Sequence, residues 1–577
     1  MQPIRSLFIV GLVLLAPSGL LGQIYHPDAP LEARSDEATH AWLTERLPLP
    51  PGWAYRMEHK EQTPTADYRL YGVYAGAVPA FGLQANVCVR RNGQVVSAVV
   101  PYYPRAEQLP APLWNPEPSA PKTPVYYFDE NAITWVSAWQ TRVRTTEPEH
   151  RWWERFEDDQ TGATLYERDL LVHFESDEHA VQTDTTVTGL VFEPDPLTKA
   201  GVTYGGQYVD LNDANSTVLD PLRVTKGFQA TWTGTQFVLS SGSVVIEDFD
   251  PPTSAPATSS IPSFAFSRTD NRFEDVNAFY HIQSFKNHTS ALGFTAVPYA
   301  IPVDPHAING QDNSFFDWST TPPRLYFGEG GVDDAEDADV VVHEYGHALS
   351  QAIVPNTNFG DERNSLDEAF GDYWAVSYSR FLNNFGWQRV FGWDGHNEFW
   401  SGRSAQNGTQ KMYPGLSFFN IYAHTNVFVD ALMRSWPHVG RNEMDALVLE
   451  SAHQWASGMS YRTAAELVLQ ADTLRNNGTN AWRLHRDFAT WQILLPKASD
   501  EEHATVFSQY AWGTEEGFVA TTTLDVTCTD LNGRNVGTVH VAAGLHNLRS
   551  LWNLPPGTYL LRWETNGSHG HFRWTGF

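Results

Sequence analysis

The residues best suited to chemistry in this chain are His343, Glu344 and His347, in the run HEYGH at 343–347. Histidines four apart on a helix leave the same face one turn apart. Two imidazole nitrogens can then reach one ion at about 2.0–2.1 Å, the distance zinc takes from histidine. Glu344, beside the first of them, is placed to take a proton from an activated water without being a ligand itself. A hydrolytic zinc needs a third protein ligand and one open position. In one class of zinc helix that ligand is a third histidine six residues after the second, with a glycine between; here those positions are Ile353 and Ser350. The other arrangement takes a glutamate from a second helix. SLDEAFGDYWA (365–375) supplies Glu368, twenty-one residues after His347. Asp372, one turn further on the same face, can accept the remaining N–H of a ligand histidine, fixing its tautomer and raising its basicity. Alone, HEYGH could be two ordinary helix histidines beside a surface glutamate; the third ligand and the acidic partner weigh against that.

Two helices must hold these residues, and apolar positions three and four apart predict them over 336–352 and 365–382, with two more over 420–435 and 460–475. The run DADVVV (337–342) gives the first an acidic start, favourable for its dipole, and an apolar body for burial. Before Arg268 the texture is different. Residues 70–99 alternate apolar and polar around Asn92-Gly93, a hairpin signal, and 156–174 repeat that design around Thr161-Gly162. A second strand-rich region runs over 187–248. Proline-rich 104–124 and the breaker-rich DPPTSAPATSSIP (250–262) read as linkers or long loops.

Composition bounds the function classes. The 577 residues are 42% hydrophobic and 13% aromatic, ample for several cores and unlike a disordered chain. A net charge of −29 repels phosphate backbones and anionic lipids, which argues against nucleic-acid and membrane-surface binding. Residues 1–22 read as an export signal: Arg5, an apolar run from Leu7 to Leu15, then small residues up to Gly22. No later run is long enough for a membrane span, so the mature chain is expected to be extracellular, without a transmembrane helix. Cys88 and Cys528 read as two buried apolar residues rather than a bridge.

HEYGH followed by EAFGD resembles the gluzincin metallopeptidases, the thermolysin and fungalysin relatives. LYGVYAGAVPAFGLQANV is similar to the propeptide motif that these groups share, and VTGLVFEPDPL (187–197) and RTDNRFEDVNAFYHI (268–282) resemble fungalysin-type segments upstream of the site. The resemblance runs from about 68 to 495 and fits bacterial fungalysin-like members best. It implies an α+β multidomain chain: a β-rich propeptide over 23–185, then a thermolysin-like two-lobed catalytic domain over 186–510 with a β-rich N-lobe and a helical C-lobe. It implies a zinc endopeptidase acting on proteins or peptides, whose propeptide assists folding and blocks the cleft until removed. Bulky apolar residues after the cut would suit the family's usual pocket. Asn313-Ser314-Phe315-Phe316 resembles the segment that pairs with bound peptide, though a loop of core aromatics reads equally well. Where thermolysin carries an oxyanion-stabilising tyrosine, this chain has Phe359. At the family's oxyanion histidine, an ungapped reading gives Tyr422 and a short shift gives His424. Calcium is a further candidate ion. Asp339 matches a thermolysin calcium ligand, but Ser379 stands where its acidic partner is expected. The cluster Asp333, Asp334, Glu336 and Asp337 could bind calcium or lie as a solvated loop.

The tail, 521–577, has DLNGR and LPPGTYLLRW turn and strand signals and is expected to form a small β-sandwich. It resembles the C-terminal sorting domain of type IX secretion, which implies secretion machinery as a partner and release or attachment outside a bacterial cell. A plain binding module is the other reading of the tail. For the whole chain, the rival to an endopeptidase is a catalytically degenerate surface protein used for adhesion, a reading that draws on Phe359.

Overall fold

The computed structural model describes residues 23–27, 33, 35–100, 109–110, 122–129, 134–145, 151–169, 184–294, 297–495, 511–513, 517–520, 524–530, 535–541, 544–547, 557–565 and 568–576. The export-signal segment, most of 104–124 and the tail turns at 531–534 and 551–556 lie outside the described residues. Among those described, nine α-helices and six sheets make an α+β chain. No described helix is long and apolar enough to cross a membrane.

The N-terminal part is a nine-stranded sheet with one helix, α1 (Asp36–Arg46), whose first turn is capped by the Ser35 hydroxyl accepting from Ala38 N. Both expected hairpins form. Strands Val78–Arg90 and Val95–Val100 pair antiparallel across Asn92-Gly93, where Asn92 Oδ1 accepts from Gln94 N at 2.9 Å. Gly93 takes a φ of 92° there, which is why glycine suits that corner. Arg151–Asp158 and Thr164–Asp169 pair in the same way around Thr161-Gly162.

Beyond residue 184, helix α2 (Pro196–Ala200) is short, and α3 (Arg272–Ala291) runs buried on almost every face. That burial explains why no helical period marks α3 in the sequence: an apolar stripe needs a polar face to stand out. A four-stranded sheet follows in the order Val244–Ile246, Ile301–Asp304, Arg324–Phe327, Ser314–Asp317. The first three are parallel, and Ser314–Asp317 closes one edge antiparallel. Next come α4 (Ala338–Ile353), α5 (Asp361–Leu382), α6 (Thr425–Val439), α7 (Arg441–Ala452), α8 (Tyr461–Asn476) and α9 (Ala481–Ala489). Helix α6 starts five residues later than the periodicity predicts. Asn420 Oδ1 accepts from Tyr422 N at 3.0 Å, a local turn that competes with helix. A single apolar core joins these elements from Val187 to Leu494 and takes in Val99 of the N-terminal sheet.

The N-terminal sheet docks on α7 and α8 through buried polar groups. Glu450 Oε1 accepts from the hydroxyls of Thr63, Thr65 and Tyr68 at 2.6, 2.5 and 2.7 Å. Asn86 Nδ2 donates to the carbonyls of His453 and Trp455 at 2.9 and 3.0 Å. At the other end of the chain, strands from Ala511 onward form a three-stranded and a four-stranded antiparallel sheet. Cys88 and Cys528 are both buried and unbridged.

Replacing Glu450 by Ala would leave three inward-facing hydroxyls without an acceptor. Glu450→Ala is expected to cost about 3 kcal/mol, since each stranded buried partner loses of the order of 1 kcal/mol. Urea unfolding of the full chain measures it, and an unchanged midpoint would show that this junction does not stabilise the fold.

Candidate metal centre

Helices α4 and α5 meet across two glycines. A Cβ built on Gly346 would stand 3.2 Å from Gly371 Cα, and one built on Gly371 would stand 2.5 Å from His343 Nδ1. Only hydrogen fits at 371, so the His343 ring lies against bare backbone.

That approach gathers the predicted ligands. His343 Nε2 lies 3.2 Å from His347 Nε2 and 3.4 Å from Glu368 Oε2, and His347 Nε2 lies 3.6 Å from Glu368 Oε1. Three ligands about 2.1 Å from a tetrahedral centre stand about 3.4 Å apart. The donor set therefore has the separations that one zinc-sized ion needs.

Each imidazole is anchored from behind. His347 Nδ1 is 2.7 Å from Asp367 Oδ2. Asp367 is itself held by Ser350 Oγ at 2.6 Å, Arg363 Nη1 at 3.0 Å and Asn358 Nδ2 at 3.2 Å. Asp372 Oδ1 is 3.2 Å from His343 Nδ1. This is the partner the helix spacing indicated, although the contact is an ion pair rather than a directed hydrogen bond. The arrangement presents both Nε2 atoms to the same point.

Arg403 enters from the short strand Arg403–Ser404. Its Nη1 donates to Glu368 Oε2 at 2.9 Å, and its Nη2 lies 3.2 Å from both His343 Nε2 and Asp372 Oδ1. Positive charge is thus already drawn to the donors that a metal would use. Burial alone would lower the His347 pKa, but Asp367 and Glu368 raise it to about 10. Burial would raise Glu368, yet the histidines and Arg403 hold it well below the usual carboxylate range. Glu344 is buried beside them, and burial pushes its carboxyl up while the histidine charges oppose the shift.

The two oxyanion candidates separate. Tyr422 is 55% exposed, and its ring centroid lies 5.4 Å from the Arg403 guanidinium, which puts it at the rim of the site. The His424 ring turns elsewhere: Lys411 Nζ donates to its Nδ1 at 3.3 Å, and Phe418 lies against it edge-on. His424, just before α6, thus contacts the 411–418 loop, while Tyr422 lies beside Arg403. Phe359 packs edge-on against Phe81 and Tyr166 of the N-terminal sheet, with centroids 4.9 and 5.9 Å away. An aromatic without a hydroxyl suits that dry contact.

Asn313 is exposed directly before the edge strand, and the outer side of Ser314–Asp317 pairs with no strand among the described residues. Ser314 contributes backbone rather than a free hydroxyl, because its Oγ donates to Asp334 Oδ2. The four acids Asp333, Asp334, Glu336 and Asp337 are buried rather than solvated, and they diverge. Asp337 caps α4 and accepts from Trp393 N, whereas Glu336 pairs with Arg268. Asp339 spends its oxygens on Ser379 Oγ and Phe391 N. Neither set converges as a calcium site.

Asp367 and Arg403 escaped the sequence reading. Asp367 was findable as the acid beside Glu368, because each ligand histidine needs a partner. Arg403 lies on a two-residue strand, too short to carry a periodic signal.

No protein-family profile matches the chain, and no curated protein matches it in sequence. Among solved structures it is similar to the precursor of protealysin, a metalloproteinase from Serratia proteamaculans. The match has 12% identity and a TM-score of 0.33, and covers 44% of this chain and 90% of that one.

Gly371→Ala drives a methyl into the His343 ring and is expected to abolish stoichiometric zinc binding and to cost about 1–3 kcal/mol from overpacking. Gly346→Ala meets only a 3.2 Å contact and should be milder. Zinc titration by calorimetry, paired with thermal unfolding, separates the two; equal zinc affinity in Gly371→Ala would refute the packing argument.

Proposed function

We propose that the chain is a secreted zinc-dependent endopeptidase that hydrolyses bonds in proteins or peptides. The observation that carries this reading is the convergence of His343, His347 and Glu368, at the separations zinc requires, beside the buried Glu344. Zinc held by those three residues would polarise the scissile carbonyl and lower the pKa of a water molecule. The Glu344 carboxylate would accept a proton from an attacking water and return it to the leaving amine. Tyr422, His424 and Arg403 are the candidate donors to a developing oxyanion. The strand Ser314–Asp317, whose outer side meets no other strand among the described residues, would offer main-chain groups to an extended peptide, with Asn313 at its entrance.

In the same reading, 23–185 is a propeptide. Its sheet covers Phe359, just ahead of α5, and locks onto Glu450, so its removal would uncover the approach to the site. The segment 521–577 would serve export through secretion machinery, leaving the enzyme outside the cell. The adhesion reading keeps one supporting observation, the missing hydroxyl at Phe359.

Purified protein freed of 23–185 is expected to hydrolyse casein, to lose activity with a zinc chelator and regain it with added zinc. Glu344→Gln should bind zinc normally and lose about 10²–10⁴-fold in kcat, the usual share of a general base. Arg403→Ala should lower kcat more than it raises KM. Wild-type protein that binds zinc but cuts nothing would favour the adhesion reading.

A further inference from the structure

Three other carboxylates converge at the start of the edge strand. Asp312 precedes Ser314–Asp317, Asp334 opens the short turn Asp334–Glu336 that leads into α4, and Asp394 stands in the loop between α5 and Arg403. One oxygen from each lies within 4.8 Å of the others. Asp334 is 2% and Asp394 4% exposed, and the Oδ1 atom of each has no hydrogen-bond partner. Their Oδ2 atoms are used: Ser314 Oγ donates to Asp334, and Trp400 Nε1 donates to Asp394 at 3.2 Å. Among the described residues, no lysine or arginine comes within ion-pair distance of any of the three.

The chain also contains a counter-example. Asp210, Asp213 and Glu336 are clustered as closely, but there the Arg268 guanidinium fills the middle at 2.6, 3.1 and 2.6 Å. The Asp312 group also has three carboxylates, but no cation side chain among the described residues. Burial, then mutual repulsion, pushes the Asp334 and Asp394 carboxyls well above their usual range. A buried anionic cluster of this kind is costly unless a positive charge joins it.

We propose that Asp312, Asp334 and Asp394 form a second metal site, for a hard divalent cation of the calcium class. Calcium takes oxygen ligands at about 2.3–2.6 Å, so two ligands of one ion stand up to about 5 Å apart, which suits this group. The exposed side at Asp312 leaves the rest of the shell to solvent. Bound there, the ion would tie together the start of the edge strand, the approach to α4 and the loop carrying Arg403. This site differs in residues and chemistry from the histidine-containing one, and its occupancy can be read without any hydrolytic assay.

Trp400 supplies the probe. Full-length protein with its histidine site saturated by zinc is titrated with Tb³⁺, and emission is excited through tryptophan. One saturable, Ca²⁺-displaceable signal is expected in wild type and in His343→Ala. Asp334→Asn and Asp394→Asn should each lose at least tenfold in affinity. In chelator, the same two variants should unfold at a higher temperature than wild type, since a buried charge is gone, and calcium should no longer raise that temperature. Should they fail to fold, Trp400→Phe decides: it should lose most of the emission while keeping calcium's thermal gain. Emission unchanged in Trp400→Phe, or lost in His343→Ala, puts the ion elsewhere and overturns the proposal. So does wild-type protein without emission or thermal gain, which would mean that protons alone settle the cluster.

Discussion

The contact on which the site depends is backbone against backbone. Helices α4 and α5 touch through Gly346 and Gly371, and that spacing sets how far the Glu368 carboxylate stands from the two imidazoles. A helix pair separated by ordinary side chains runs about 8–10 Å apart. At such a spacing, a short side chain crossing from one axis to the other meets packing before it meets a ligand. With glycines at the crossing, a six-residue stretch of α5 fills three roles. Asp367 steadies one histidine, Glu368 faces the shared point, and Asp372 steadies the other histidine.

The chain's large excess of acid is handled inside as well as on the surface. Some buried carboxylates receive backbone N–H groups: Asp337 takes those of Trp393 and Asp394, and Asp304 those of Phe249 and Asp250. Others share a guanidinium, as Asp210 and Glu336 do with Arg268. Hydroxyls serve a third set, among them Asp339 with Ser379 and Glu450 with its three donors. This variety explains why a run of acids at 333–337 reads as a solvated loop in sequence and turns out buried. Asp334 meets the Ser314 hydroxyl, Glu336 the Arg268 guanidinium and Asp337 the Trp393 amide, each brought from another part of the chain.

What the sequence made legible follows from locality. His343, His347, Glu368 and Asp372 sit on two helices whose periods are clear, so spacing alone says which side chains share a face. The hairpins at Asn92-Gly93 and Thr161-Gly162 are equally local. Helices α3 and α7 are less visible because they are buried on most faces and lack a contrasting polar stripe. Arg403 was out of reach for another reason. Its role depends on a loop that returns to α5 from thirty-five residues away, and no local pattern encodes a return. Tyr422 and His424 lie just ahead of α6, where the Asn420 side chain accepts from Tyr422 N and no helical period orients either ring.

The junction at Glu450 bears on the order in which the chain acquires its shape. Tyr68 and Glu450 are separated by 382 positions, whereas each strand from Trp53 to Val100 pairs with a neighbour next to it in the chain. Near contacts close early and distant ones late, since chain entropy must be surrendered before a far contact gives anything back. During synthesis the N-terminal sheet can therefore stand complete, its hydroxyls turned outward, long before α7 and α8 have left the ribosome. It then offers those helices a preformed surface to fold against, so that a late helical pair is shaped by an early sheet.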